Sequence, residues 1–357
     1  MNWGLGHASR CIPLVRRLIR EGHEVILGGD GESLTLLRKH FPKLRYTYLA
    51  PLNLRYSAGK SQVWAMLKAL PKLFLWSLKD HAMLQAVLRE EPIDYVLSDN
   101  RFGLFVHRPS TNDHRPTTNN HRPSTNDHRP TTIYLTHQLH IMLPRPWRWL
   151  EPLVARLHAR IYTRFKKVWI PDYEDANKSL AGELSHLKIS NLHTAKQIVR
   201  PEEDKKSPIS NLNYIGPLSR FENYDRSQDN PIAQNYTVVA VLSGLEPHRT
   251  LLEKEIVARY LDTDEQVLIV QGLVNRPNTR FKRRNITLVS SITDAELVPA
   301  LMNAKHIIAR SGYSTIMDLH ALGLLPSKNE TPSSQIELIP TPGQPEQEYL
   351  SAYFAEK

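Results

Sequence analysis

Cysteine is almost absent: the 357 residues contain one, Cys11. A single thiol excludes an intrachain disulfide and any cysteine-built zinc cage. Cys11 falls on the apolar face of a helix-period segment, which predicts a buried, inert side chain. Long hydrophobic runs are also lacking. The longest are strand-sized, too short for a membrane-spanning helix. Arg10, Arg16 and Arg17 interrupt the one early apolar segment, so no secretory signal pattern forms. Together these absences predict a cytoplasmic protein. Acidic residues are in deficit, 36 Asp and Glu against 46 Lys and Arg, for a formal net charge of +10. That imbalance calls for an acidic partner or surface. No nucleic-acid recognition motif accompanies the basic residues, so nucleic acid is not the expected partner.

What is present is a globular composition, with 41% hydrophobic residues and a mean hydropathy of -0.42. The length exceeds one ordinary core and suits two domains, divided at residues 1–217 and 218–357. Helical spacing runs through Ala8, Cys11, Ile12, Val15, Leu18 and Ile19, and Gly22 ends that helix. Short apolar strands are predicted at 24–27, 44–48, 93–98, 132–136 and 168–170. In the second half they fall at 237–242, 267–271, 286–289, 306–309 and 336–339, with helical patterns between. Strands alternating with helices predict an α/β chain with parallel, doubly wound sheets. A ligand-binding Gly-rich turn normally follows the first strand of such a sheet. Here the turn begins at Asn2, so the first strand of the N-terminal domain is expected to be missing.

Residues 107–132 are four copies of a seven-residue unit, HRPSTND or a close variant, the last incomplete. With no core-forming residue and proline in every copy, the tract is expected to be a disordered loop insert. Its histidines have nothing to hold them in a metal geometry. Segments 185–213 and 326–335 also read as polar inserts. Asp262 and Asp264 precede a strand, away from the ligand edge, and read as surface charge rather than a metal pair. From Arg145 to Lys167, Trp147, Trp149 and Phe165 interleave with Arg145, Arg148, Arg156, Arg160, Arg164 and Lys166. That pattern fits a helix resting on anionic lipid headgroups, and equally an amphipathic surface helix over a core. Residues 63–78, with Trp64, Phe74, Trp76, Lys68 and Lys72, invite the same two readings.

The most informative segment is Ala309-Arg310-Ser311-Gly312-Tyr313-Ser314-Thr315-Ile316-Met317-Asp318. An apolar strand runs into a small-residue turn and then a helix. The turn aims free backbone N–H groups and the positive helix end at whatever lies above it, which suits phosphate. Asp318, about a turn and a half into the helix, is placed to take two ribose hydroxyls. Ile339 to Glu348 repeats the plan, with Gln344, Glu346 and Gln347 opening a further helix. Ser243 and Gly244, followed by Arg249, end another strand at the same edge. Such turns, side by side, read as a nucleotide-sugar pocket.

The Arg310-Ser-Gly-x-x-Thr315-x-x-Asp318 run resembles the donor-site motif of glycosyltransferase family 28. Gly4-Leu-Gly6-His7 resembles that family's Gly-rich loop, and Tyr134-Leu-Thr-His137-Gln138 its histidine-bearing strand end. The resemblance implies a GT-B architecture, two Rossmann-like domains facing across a cleft. It implies a UDP-sugar donor, an acceptor that is lipid-linked or another glycan, and inverting transfer with no cofactor or metal. On this resemblance Asp318 holds the uridine ribose, and Gln344, Glu346 and Gln347 contact the sugar. Ser243, Gly244, Arg249, Arg310, Ser311, Gly312 and Thr315 complete the donor site. His7 or His137 is the base, His7 kept neutral by the helix dipole, and Gly4, Gly6, Asp99, Asn100 and Gln138 serve the acceptor side. The cell-envelope role implied would put the protein at the inner membrane face. The family's last helix packs back across the first domain, and the chain stops at Lys357 before the point expected for it. Two alternatives remain: a UDP-N-acetylglucosamine 2-epimerase-like enzyme, and a non-catalytic decayed transferase that binds anionic membrane.

Overall fold

The computed structural model describes residues 5–51, 62–106, 129–186, 211–225, 227, 236–244, 246–325 and 334–356, without the side chains of 62–70. Gly4, nearly all of the repeat tract, most of both polar inserts, and the side chains of Trp64 and Lys68 lie outside the described residues.

The first half opens with α1 (Gly6–Arg20), β1 (Ile26–Gly29), α2 (Gly31–His40) and β2 (Arg45–Tyr48). Next come α3 (Gln62–Glu90), β3 (Tyr95–Asp99), β4 (Thr131–Leu135), a 3-10 turn (Arg145–Leu150) and α4 (Glu151–Tyr162). β5 (Lys167–Ile170) and β6 (Leu212–Tyr214) close it. All strands pair in parallel, but in two separate sheets, β1-β2 and β3-β4-β5-β6. Among the described residues no strand pairs with the outer edges of β1 and β3. The expected single sheet is therefore interrupted, and side chains connect its two parts.

Arg101, 3% exposed, makes that connection: it donates to Asp80 on α3 at 2.8 and 3.0 Å, and to Asp30 just after β1. One cation faces two buried carboxylates. Burial pushes the Asp80 carboxyl up to about 6, against the pull of Arg101. A folded-state value above the ordinary 3.8 means that folding takes up a proton between the two. The contribution is complete below the ordinary value and is lost as pH rises through about 6, for a difference of about 3 kcal/mol. An Asp80→Asn variant escapes this loss. Its urea midpoint relative to the unmodified chain rises between about pH 4 and about pH 7; a constant difference across that range counts against the assignment.

The second half contains β7 (Val238–Val241), α5 (His248–Tyr260), β8 (Val267–Val270), β9 (Arg280–Arg283) and β10 (Ile286–Val289). It continues with α6 (Asp294–Asn303), β11 (His306–Arg310), α7 (Tyr313–Ala321), β12 (Gln335–Ile339) and α8 (Pro345–Ala355). One sheet results, in the order β12-β11-β7-β8-β10-β9, parallel except for β9. β7 and β8 are apolar runs buried on both faces, as central parallel strands require. Separate clusters fill the two sides, one around Val239, Leu268, Leu297 and Ile307, the other around Ala240, Ile269, Leu252 and Ile256.

The halves share a buried core in which Leu14, Leu135 and Leu184 meet Leu218, Tyr313, Ile316, Met317 and Leu350. Leu350 belongs to α8, whose Tyr353 hydroxyl donates to Ser179 O at 2.9 Å, while Tyr349 accepts from the Glu183 amide at 2.8 Å. The cross-domain packing expected of a later helix is thus made by α8 itself.

Candidate functional site

A cavity of about 900 Å3 runs between the halves. The second half contributes Ser243, Gly244, Gly312, Thr315, Asp318, Gln344, Glu346 and Gln347; the first contributes Gly6, His7, Asn100, Phe102, His137 and Gln138. The carboxyl ends of β7, β11 and β12 are neighbours in the sheet, so their three turns meet at one edge.

On that edge the backbone is bare. A Cβ at Gly312 would meet nothing within 4 Å, and the first amides of α7 have no acceptor in their own helix. Gly244 also faces open space, at a φ of +94° that side-chain-bearing residues resist. Both positions let a polar ligand reach main-chain N–H groups. Asp318, in the cavity wall, accepts from the Ser219 hydroxyl at 2.6 Å and lies 3.3 Å from Arg220 Nε. Burial raises its pKa against the pull of Arg220. Gln347 Oε1 accepts from the Thr341 amide at 2.9 Å, and its Nε2 donates to Gln344 at 2.7 Å, which fixes the turn after β12.

Three donor-side candidates are not in the cavity wall. The Arg310 guanidinium, 4% exposed, donates to Pro340 O at 2.9 Å and His248 O at 2.7 Å. It ties the ends of β11 and β12 to the start of α5, and a phosphate contact would require those bonds to break. The Ser311 hydroxyl, fully buried, donates to Gln347 O at 2.8 Å. Arg249 is turned to Glu246, with Nε 3.1 Å from Oε1.

A buried polar knot forms around Arg10, a residue the sequence offered only as an interruption of an apolar segment. Arg10 is 2% exposed and donates through Nε to both Asp99 oxygens at 3.1 and 3.0 Å. Its Nη1 lies 2.8 Å from His137 Nδ1 and its Nη2 2.8 Å from His7 Nδ1, and Nη2 also bonds Asp99. Burial by itself would raise the Asp99 carboxyl, but Arg10 and His7 beside it outweigh that and hold it well below the usual range. Because a guanidinium only donates, His137 Nδ1 accepts. Its Nε2 then donates to Glu346 Oε1 at 2.8 Å, so both ring nitrogens are occupied. Gln138 Nε2 donates to the other Glu346 oxygen. His7 differs: its Nδ1 lies between a donor, Arg10 Nη2 at 2.8 Å, and an acceptor, Asp99 Oδ1 at 3.2 Å, so each tautomer keeps only one of the two as a hydrogen bond. Its Nε2 has no hydrogen-bond partner among the described residues. Burial lowers the His7 pKa first and the Arg10 charge adds to it, with Asp99 opposing. The neutral ring expected from a helix dipole therefore follows here from desolvation. Cys11 touches Asp99 at 3.6 Å, and burial drives its thiol pKa upward, in keeping with an inert side chain.

Asn100 adopts a φ of +51° and accepts from the Tyr134 hydroxyl at 2.9 Å. Gly6 packs against the start of α7 so closely that a Cβ there would lie 2.7 Å from Ser314 Oγ, which itself donates to Gly6 O at 3.0 Å. The Gly-rich turn of one half is thus seated on the small-residue turn of the other. Ser219 and Arg220 are further contacts that the sequence left unassigned. Polar residues where the chain crosses between halves were the signal.

No family model matches the chain. Among curated proteins it is similar to an uncharacterized glycosyltransferase of Methanosarcina acetivorans, 23% identical over 327 residues, covering 90% of this chain and 75% of the relative. An uncharacterized glycosyltransferase of Methanosarcina mazei is 22% identical over 363 residues, covering 99% of this chain and 81% of the relative. Among solved structures, the glycotransferase of kitacinnamycin aligns over 98% of this chain and 81% of its own, at 15% identity and a TM-score of 0.48.

Proposed function

We propose that the chain is a GT-B glycosyltransferase, akin to family 28, that moves a hexosyl group from a UDP-sugar to an acceptor hydroxyl with inversion. The observation that carries this reading is one cavity whose lining combines three strand-end turns of one sheet with His7 of the first half. The names of the two Methanosarcina relatives support it. The ribose pairs with Asp318, displacing or sharing its bond to Ser219. The diphosphate lies on the amides around Gly312 and Gly244, and the sugar meets Gln344 and Glu346.

His7 is the base. In its base form the ring directs its Nδ1 proton to Asp99, which requires Arg10 Nη2 to give up its 2.8 Å approach to that nitrogen and bond Asp99 alone. The Nε2 lone pair then takes the acceptor's hydroxyl proton as that oxygen attacks the anomeric carbon. The bond from that carbon to the diphosphate oxygen breaks, and the N-terminal amides of α7 stabilise the departing charge. His137, held between Arg10 and Glu346, positions the donor turn instead. The acceptor end of the cavity is lined by Leu73, Phe102, Ile141 and Met142, which favours an acceptor with an apolar portion, such as a lipid-linked glycan.

Calorimetry with UDP tests the donor site. Binding is expected, and Asp318→Ala weakens it by about tenfold to a hundredfold, the loss of one or two hydrogen bonds to a charged group. Unchanged affinity in that variant removes the ribose assignment. A UDP-sugar converted with no acceptor present, followed by NMR, would instead favour an epimerase.

A further inference from the structure

We propose that the Nε2 lone pair of His158 forms a binding subsite in the cavity, one that takes an apolar chain bearing a hydroxyl or an amide N–H. The inference rests on the transferase reading only in assigning that chain to the acceptor. His158, on α4, is 5% exposed and lines the cavity together with Phe102, Ile141 and Met142. Phe102 meets the imidazole edge-on, with ring centroids 6.4 Å apart. One helical turn on, the Tyr162 hydroxyl lies 2.7 Å from His158 Nδ1 and 3.2 Å from both Gln138 O and Leu139 O.

A phenol has one proton to give. Given to the ring, it would leave both carbonyls without a donor, since among the described residues neither accepts from any other group. Given to a carbonyl, it leaves the phenol oxygen to accept, and the ring then donates its Nδ1 proton. The second arrangement serves the ring, the phenol and a carbonyl, and an unmet buried group is the costlier outcome. The ring so fixed carries its lone pair on Nε2. Among the described residues that atom has no hydrogen bond, and unlike His248 Nε2 it is not sealed in without a partner, so the cavity is its outlet. Burial pushes the His158 pKa down to about 4. The ring is therefore neutral near neutrality and too weak a base to compete with His7 for a proton, which leaves it recognition. A lone pair in an apolar lining discriminates: a ligand with no proton to share strips it of water and leaves it unmet, and one with a donor pairs it.

Ring-nitrogen NMR on the histidine-labelled full chain reads the tautomer without ligand or variant, the His158 signals being assigned through contacts with Phe102 and Tyr162. Nδ1 is expected to carry the proton and Nε2 the lone pair; the reverse tautomer overturns the proposal. Octanol and its isomer methyl heptyl ether then probe recognition, as do N-hexylacetamide and N-hexyl-N-methylacetamide. The member of a pair that has a donor should bind about tenfold tighter, as one hydrogen bond allows, and move the Nε2 signal. A preference in one pair alone tells whether hydroxyl or amide is read. His158→Phe should abolish the preference, and His158→Gln, whose amide oxygen can accept, should keep part of it. If His158→Phe unfolds, Tyr162→Phe, which frees the ring tautomer, carries the same comparison. Equal binding within both pairs, an unmoved Nε2 signal, or a preference that survives His158→Phe rules the subsite out. UDP calorimetry on the same sample is independent: its failure removes the transferase reading and leaves the tautomer and the preference to stand or fall by themselves.

Discussion

Replacing His7 by Ala is expected to lower turnover by about 10^2- to 10^4-fold, the usual contribution of a positioned general base, while UDP affinity stays within about twofold. The split follows from the contacts: the His7 ring meets Asp99 and Arg10 of the first half, and among the described residues none of its bonds goes to the turns that take the nucleotide. His137→Ala should act differently. It releases Glu346 and Gln344 to shift, so the donor KM rises along with any loss in turnover. The pH profile supplies an independent check. Burial sets the folded His7 pKa below 6.5, so the rate holds level through neutrality and falls only on the acid side of that value, as Nε2 gains a proton. An acid limb above that value, or a His7→Ala enzyme of normal turnover, rules His7 out as the base.

The second large effect is on stability. Arg10→Ala leaves the Asp99 carboxylate buried without its cation, and removing one partner of such a pair costs about 3–5 kcal/mol. Urea unfolding should show that loss directly. Pairing it with Asp99→Asn should return most of the stability, because a neutral amide has no charge left uncompensated. It should not return activity, because the carboxylate that holds the His7 tautomer is gone. Recovery of both would mean that the knot is only a packing element. An Arg10→Ala protein as stable as the unmodified chain would mean that Asp99 already meets water.

The same residue shows where sequence reasoning stopped. Periodicity located the parallel strands within a residue or two, because a buried strand must be an apolar run and β7, β8 and β10 are such runs. β1 was misplaced by two positions: Gly28 and Gly29, outside the expected strand at 24–27, pair with Thr47 and Tyr48. β9 was invisible. Arg-Phe-Lys-Arg is exposed throughout and stays extended only because β10 supplies its partner. β6 overlaps the end of what looked like a polar insert and, among the described residues, pairs with β5. In the site, the turns at Ser243, Gly312 and Gln344 were legible from their strand–turn–helix pattern. Arg310 fitted the same pattern, but an arginine at a strand end can face the ligand or the interior, and only packing decides between them. Arg10 left one clue, a cation one helical turn beyond His7 on a face otherwise apolar. Its partners lie 89 and 127 positions away, beyond the reach of local spacing.

The seam between Gly6 and Ser314 has an evolutionary corollary. Because one position tolerates no side chain only while the other keeps its hydroxyl pointed back, neither can drift alone. Exchanging whole halves between diverged homologues would therefore succeed where this pair is transmitted intact, and produce misfitted hybrids where a bulkier residue arrives on one side. Inheritance at the seam thus constrains which first halves can be recombined with which second halves.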